Sequence, residues 1–120
     1  MSLRIGIDIG STTVKVVVLD EQNKLLFRSY ERHYSKTRER ACETLRSIQD
    51  RFAGQPVRLV ITGSAGLGVA KASGIDFVQE VYATAAAVRA YYPDTDAVIE
   101  LGGEDAKIIF FGGALEERMN

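Results

Sequence analysis

The chain has 120 residues, of which 46% are hydrophobic and 26% charged, and its formal net charge is −1. This length allows one domain with a sizeable core, while the near-neutral charge argues against nucleic acid or an anionic membrane as a partner. No apolar run approaches the roughly 20 residues that cross a bilayer, and Arg4 and Asp8 interrupt the apolar amino terminus, so no signal peptide is predicted. The single cysteine, Cys42, excludes an intrachain disulfide and gives no metal-ligand spacing. The cytoplasm is therefore the expected compartment.

The first part of the chain predicts three consecutive antiparallel strands and a helix. β-Branched residues are frequent in the three strands, which are Leu3–Ile9, Thr13–Leu19 and Leu25–His33. Ser35 or Thr37 is a suitable cap for a helix that ends near Phe52, and its apolar positions recur at helical spacing. The single histidine, His33, has no partner nearby in the sequence. We expect it to be solvated or hydrogen-bonded rather than a metal ligand or a catalytic base.

The middle of the chain predicts alternating strands and helices. A short strand, Val57–Thr62, ends in the glycine-rich segment Thr62–Gly68, which opens a short helix that Gly74 ends. A brief strand at Ile75–Val78 follows, and then a longer helix that Pro93 stops. This alternation is typical of an α/β domain.

The segment around Gly10 has the composition of a phosphate-binding turn. Gly10 lets the backbone approach an oxyanion closely, and the amides and hydroxyls that follow can donate hydrogen bonds to phosphate oxygens. Asp8, at the carboxyl end of its strand, can hold the water shell of a Mg²⁺. A tight hairpin with a solvated turn is the simpler interpretation. However, Asp8 interrupts an apolar alternation, where an unpaired carboxylate is costly, and Lys15 lies inside an apolar strand. The predicted phosphate-binding residues are Gly10, Ser11, Thr12, Thr13 and Lys15.

The segment Asp96–Phe111 repeats this pattern of an apolar strand, an acid, a glycine turn and a second apolar strand. The order acid, apolar residue, glycine occurs as Asp8-Ile9-Gly10 and again as Glu100-Leu101-Gly102. We therefore predict two equivalent hairpins that hold one phosphate chain between them. The residues after Gly112-Gly113 are too few to complete a further element, which favours an end inside a larger protein. We expect one subdomain at 1–95 and the first hairpin of a second, truncated subdomain at 96–120.

The order of elements and the two hairpins resemble the actin, sugar-kinase and chaperone ATPase superfamily. Within it, Gly6–Thr13 together with Leu101–Lys107 is similar to the activators of 2-hydroxyacyl-CoA dehydratases and the related benzoyl-CoA reductase ATPase subunits. The resemblance covers essentially the whole chain. It implies a ribonuclease H-like α/β fold, with a mixed five-stranded sheet in the order 3-2-1-4-5 and helices packed on it, plus the hairpin that begins the second half.

The resemblance implies roles for the first hairpin. Gly10–Thr13 would grip the β- and γ-phosphates of ATP with Lys15 near them, and Asp8 would order the water around Mg²⁺. In such ATPases, ATP binding and hydrolysis drive a conformational change. An iron–sulfur cluster that bridges a homodimer then passes one low-potential electron to the dehydratase. The implied partners are a nucleotide and a dehydratase component, and a homo-oligomer is a further expectation.

The resemblance also implies roles for the second hairpin. Gly102 and Gly103 would close over the phosphates from the other side. Asp105 would hold Mg²⁺ through water or position the attacking water. Glu104 is a further catalytic candidate, as is Glu80, which by this resemblance faces the cleft.

Departures from the family pattern leave alternatives open. Glu100 stands where the activators have aspartate and Glu104 where they have glutamine, which is more similar to the long, multidomain relatives. The cluster-binding cysteines of the family would lie beyond Asn120, and Cys42 matches no cluster ligand. We therefore expect the amino-terminal portion of an ATPase, inactive on its own. A fragment of a sugar or small-molecule kinase and a non-catalytic nucleotide-sensing or assembly module are the alternatives.

Overall fold

The computed structural model describes residues 2–101, 106–112 and 116–119, with side chains up to residue 111. Contacts divide the chain into two compact units, Met1–Val78 and Gln79–Asn120. The first unit contains β1 (Leu3–Ile9), β2 (Thr13–Leu19), β3 (Leu25–Arg32), α1 (Thr37–Arg51), β4 (Val57–Thr62), α2 (Gly66–Ser73) and β5 (Asp76–Phe77). The second contains α3 (Glu80–Tyr91), β6 (Ala97–Leu101), β7 (Ala106–Gly112) and β8 (Glu116–Met119).

Strands β1 to β5 form one sheet in the order β3-β2-β1-β4-β5, which confirms the predicted order. The pairs β1–β2 and β2–β3 are antiparallel because short turns join them. β4 pairs parallel with the free side of β1, and β5 with β4, since a helix lies in each connection. This topology brings the carboxyl ends of β1 and β4 to the same edge of the sheet as the β1–β2 turn.

The core of the first unit lies on one face of this sheet. Alternate side chains of β1 are buried in a cluster with Ala41 and Ile48 of α1 and Ala70 of α2. Burial of each large aliphatic side chain stabilises the fold by about 1.5–3 kcal/mol. The buried β1 residues are Leu3, Ile5, Ile7 and Ile9. The residues between them, Arg4, Gly6 and Asp8, lie on the opposite face, because successive side chains of a strand alternate.

Helix α1 follows the predicted apolar stripe but not the predicted cap. Ala41, Thr44 and Ile48 are its buried residues, and Cys42 is exposed. The cap prediction of Ser35 or Thr37 is wrong, since Lys36 occupies the cap position and makes no side-chain capping bond. Ser35 instead has a left-handed backbone, with φ 64°, and its amide donates to His33 Nδ1.

The second unit is an antiparallel sheet in the order β6-β7-β8, with α3 preceding it in the chain. Ala85 of α3 and Ile109 of β7 are fully buried. β8 was not predicted, because its sequence, Glu-Glu-Arg-Met, has no strand pattern and it pairs with β7 as an edge strand through backbone bonds. The subdomain boundary between residues 95 and 96 stays a prediction. None of the helices in the described part of the chain combines the length and apolar character needed to cross a bilayer.

Candidate functional site

The β1–β2 turn presents polar groups directly after the end of β1. The Gly10 amide donates to the Thr13 carbonyl at 2.9 Å, which closes the turn around Ser11 and Thr12. Ser11 and Thr12 are exposed, whereas Thr13 is buried. A Cβ added to Gly10 would lie 3.7 Å from the Thr13 carbonyl oxygen, an ordinary contact, and Gly10 does not have a left-handed backbone. The fold itself therefore does not require glycine at this position.

The carbonyl groups of this turn are engaged from the β3 side by His33. Its ring nitrogen Nε2 lies 2.9 Å from the Gly10 carbonyl oxygen, and its amide donates to the Thr12 carbonyl at 3.1 Å. His33 is only 4% exposed. This confirms the expectation of a hydrogen-bonded histidine. Its two partners in this turn lie more than 20 residues away along the chain, so no local sequence signal could have identified them.

Asp8 and Lys15 form an ion pair beside the turn. They are direct partners in the β1–β2 ladder, and Lys15 Nζ lies 3.5 Å from Asp8 Oδ2. The two side chains are 42% and 35% exposed for Lys15 and Asp8, and the Lys15 ammonium also lies 5.4 Å from the centre of the Tyr30 ring. The prediction that Asp8 interrupts an apolar alternation is wrong, because the buried residues of β1 alternate without a break. Both charged residues lie on the face opposite the isoleucine core, where strand alternation admits them without an unpaired buried charge.

The loop after β4 closes on the other side of Asp8. Thr62 is the parallel partner of Asp8, and its Oγ1 is buried without a hydrogen-bond partner among the described residues. Gly63 has φ 103°, and a Cβ there would come within 2.2 Å of the Ile9 carbonyl oxygen and 2.5 Å of Asp8 Oδ1. The glycine in this second glycine-rich turn is thus explained by its positive φ and by close packing against the Ile9 carbonyl and the Asp8 carboxylate.

The oxygen donors at this end of β1 suit Mg²⁺. This cation prefers one or two carboxylates and retains several waters. Asp8 supplies a partly exposed carboxylate, the exposed hydroxyls of Ser11 and Thr12 adjoin it in the chain, and the unsatisfied Thr62 hydroxyl lies on the neighbouring strand. The residues present therefore fit a hydrated magnesium ion.

The second unit contains an acid–lysine pair in the corresponding hairpin register. Glu100 and Lys107 are direct partners in the β6–β7 ladder, and Lys107 Nζ lies 3.7 Å from Glu100 Oε1. Lys107 also pairs with Glu80, the first residue of α3, and Thr84 donates to Glu100 at 3.1 Å. Glu80 is therefore engaged in an ion pair within its own unit.

The predicted site residues fall into three groups. The first hairpin brings together Asp8, Gly10, Ser11, Thr12, Thr13 and Lys15. Glu80 belongs to the second unit. Gly102, Gly103, Glu104 and Asp105 lie outside the described residues.

A mixed sheet of this order, with helices packed on it, is the fold of the actin-like ATPases. The chain belongs to the BadF/BadG/BcrA/BcrD ATPase family, whose model matches residues 5–120. An uncharacterized protein of Methanocaldococcus jannaschii is 26% identical over 106 residues, which are 88% of this chain and 42% of that protein.

Several solved structures share the fold, and two of them come from dehydratase systems. Component A of the (R)-2-hydroxyglutaryl-CoA dehydratase of Acidaminococcus fermentans matches all of this chain with a TM-score of 0.80 and 19% identity, over 48% of its own length. The activator of the 2-hydroxyisocaproyl-CoA dehydratase of Clostridium difficile, solved with bound ADPNP, matches 98% of this chain with a TM-score of 0.71 and 24% identity, over 45% of its own length. The chain thus spans somewhat less than half the length of these three proteins.

Proposed function

We propose that this chain is the ATP-binding amino-terminal portion of an ATPase that activates a 2-hydroxyacyl-CoA dehydratase by ATP-driven single-electron transfer. The observation that carries the proposal is the first hairpin, where a glycine-serine-threonine turn adjoins the Asp8–Lys15 pair in a chain of an ATPase family. The fold shared with two proteins of dehydratase systems supports a dehydratase activator over other kinds of ATPase.

The residues of the first hairpin would bind and orient the phosphates. The exposed Ser11 and Thr12 would donate to the phosphate oxygens, and Gly10 would leave room for the γ-phosphate beside the backbone. Lys15 would exchange its weak contact with Asp8 for a phosphate oxygen. Asp8 would then hold Mg²⁺ through its water shell. When bound, Mg²⁺ supplies the positive charge that phosphoryl transfer requires.

The second hairpin is proposed to complete the phosphate site. Gly102 and Gly103 would cover the phosphates, while Asp105, with Glu104 beside it, would position Mg²⁺-bound or attacking water. The support for this role is the repeated order of acid, apolar residue and glycine in the sequence and the acid–lysine pair common to both ladders. Glu80 would act indirectly, since its carboxylate holds Lys107.

The electron-transfer part of the proposal concerns the longer protein. The cluster ligands are expected beyond residue 120, so the chain alone would show no steady ATP turnover. The proposed partner is a dehydratase component, and the cytoplasm is the proposed compartment. The similarity to dehydratase components supports this assignment over a sugar kinase.

The test is Mg²⁺-dependent ATP hydrolysis by a longer form that continues through the second half, purified without oxygen. Asp8→Asn is compared with Asp50→Asn, which removes an exposed acid of α1 far along the chain from the site. We expect an iron–sulfur absorbance, and hydrolysis that is lost in Asp8→Asn and kept in Asp50→Asn. Hydrolysis without a cluster would instead indicate a kinase or another ATPase. A folded protein with neither would indicate a sensing or assembly module.

A further inference from the structure

We propose that His33 is a positioning residue that holds the Gly10–Thr13 turn in the conformation that receives phosphate. The proposal rests on the proposed function for the identity of the ligand, but the contact between His33 and the turn stands independently of it. The histidine is buried and lies at the junction between β3 and the turn. No role in ATP chemistry is otherwise assigned to it.

The hydrogen bonds around the ring determine its tautomer. The Ser35 amide lies 3.0 Å from His33 Nδ1 and can only donate, so Nδ1 carries no proton. The proton of the neutral ring is therefore on Nε2, and Nε2 donates to the Gly10 carbonyl at 2.9 Å. The ring is held at both nitrogens, one by its own loop and one by the turn.

The loop that supplies this amide is built at a conformational cost. Tyr34 and Ser35 both have left-handed backbones, with φ 49° and 64°, a conformation that residues with a Cβ rarely adopt. The two residues turn the chain so that the Ser35 amide reaches Nδ1 and the Lys36 amide reaches the His33 carbonyl at 2.7 Å. Two consecutive strained residues that place the Ser35 and Lys36 amides on the side chain and the carbonyl of His33 indicate that the position of His33 is tightly specified.

The orientation of the peptide groups in the turn determines whether it attracts or repels an anion. A turn binds phosphate through its N–H groups, and a carbonyl oxygen pointing into the site would repel the anion. The Gly10 and Thr12 carbonyls are both occupied by His33, and the Thr13 carbonyl by the Gly10 amide. His33 thus keeps two of the turn's carbonyl oxygens turned away from the region that a phosphate would enter.

Two substitutions separate the functions of the two ring nitrogens. In His33→Gln, the side-chain amide can still donate to the Gly10 carbonyl from near the Nε2 position. In His33→Asn, the shorter side chain can accept from the Ser35 amide but cannot reach the turn. Both remove an imidazole from the same buried site, so each is the matched control of the other for the cost of that change.

The experiment measures amide hydrogen exchange of the ligand-free chain and ATP affinity with Mg²⁺ for the same variants. The reporters are the Gly10 amide, which bonds to Thr13, and the amide of residue 33, which bonds to Thr12. The Asn23 amide, bonded to Asp20 in the β2–β3 turn, is the internal control. We expect His33→Asn to speed exchange at both reporters and to weaken ATP binding, each about tenfold, the effect of losing one such hydrogen bond. His33→Gln should stay within about threefold of the wild type in both measurements.

The two readouts distinguish failure of this proposal from failure of the proposed function. Equal effects of the two variants, or faster exchange that includes Asn23, would show that His33 only stabilises the fold and would overturn the proposal. Faster exchange at the turn with unchanged ATP affinity in His33→Asn would also overturn it. If neither this chain nor the longer form binds ATP, the proposed function fails, while exchange at Gly10 still decides whether His33 holds the turn.

Discussion

Lys15 lies directly across the β1–β2 ladder from Asp8, with its Nζ 3.5 Å from Asp8 Oδ2. Because both side chains remain substantially exposed, the pair contributes only about 0–1 kcal/mol to the stability of the fold. A ligand can therefore separate the two groups at little cost. The Asp8 carboxylate would then bind hydrated Mg²⁺, and the Lys15 ammonium would bind a phosphate oxygen. In the absence of ligand, the two charged groups neutralise each other.

This weakness predicts that Asp8 matters for binding rather than for folding. Asp8→Asn should change the free energy of unfolding by less than about 1 kcal/mol, since the pair it breaks is partly exposed. It should abolish the part of ATP affinity that depends on Mg²⁺, because an amide is a poor magnesium ligand. Calorimetric titration with ATP, with and without Mg²⁺, measures this. An equal effect of Mg²⁺ on the wild type and the variant would contradict the assignment.

Substitution of Gly10 and of Gly63, which lie on either side of Asp8, should have different effects on stability and on ATP binding. Gly10→Ala should leave the thermal unfolding midpoint unchanged, because the added methyl meets only ordinary contacts. It should nevertheless weaken ATP binding, since the methyl would occupy space beside the phosphates. Gly63→Ala should destabilise the fold by roughly 2 kcal/mol or more, because φ is 103° and the methyl overlaps the Ile9 carbonyl.

Thermal unfolding and ATP titration of both alanine variants provide the comparison. Destabilisation by Gly10→Ala as large as that by Gly63→Ala would show that Gly10 has a structural role. Unchanged ATP affinity in Gly10→Ala would show that Gly10 does not line the phosphate site.

The two lysines should differ in their importance for stability. Lys107 is 20% exposed and lies between the carboxylates of Glu80 and Glu100, whereas Lys15 has one carboxylate partner at 3.5 Å and is 42% exposed. Lys107→Met should cost about 1–3 kcal/mol, because it leaves partly buried acids without their charged donor. Lys15→Met should cost less than about 1 kcal/mol. Urea denaturation distinguishes them, and equal costs would contradict the difference in burial.

The second sheet has an exposed apolar face on β6, and we expect the chain to self-associate through it. Ile99 and Leu101 are 66% and 78% exposed on β6, and they share one face because they are two residues apart. We expect a concentration-dependent dimer in sedimentation velocity that Ile99→Lys with Leu101→Lys disperses. The control pair is Leu25→Lys with Val57→Lys, which adds the same charge at exposed apolar positions of the first unit. A monomer at all concentrations, or equal dispersal by the control pair, would contradict this face as the contact.

The antiparallel pairing of β1, β2 and β3 was predictable from signals local to each element, whereas the places of β4 and β5 in the sheet came from the family resemblance. The β-branched runs of β1 and β2 and the apolar stripe of α1 each have their own period, and short turns between strands require antiparallel pairing. The turn that follows Asp8 was predictable for the same reason. Its residues are contiguous, and the structure keeps them together.

Contacts between distant residues were not predictable. The bond from His33 to Gly10 depends on the path of β3 and on left-handed backbones at Tyr34 and Ser35, which have no glycine to mark them. Asp8 was wrongly predicted to break an apolar alternation, although the apolar residues of β1 alternate without interruption and place Asp8 on the opposite face. β8 was missed because backbone pairing at a sheet edge requires no apolar pattern.

The most direct test of the phosphate-binding hairpin is a titration of the ¹⁵N-labelled chain with Mg²⁺-ATP, followed by amide chemical shifts. We expect the largest changes at Gly10–Thr13 and at Lys15, and their loss in Asp8→Asn. Changes confined to other parts of the chain, or changes at the turn that persist in Asp8→Asn, would contradict the assignment of this hairpin as the magnesium-dependent phosphate site.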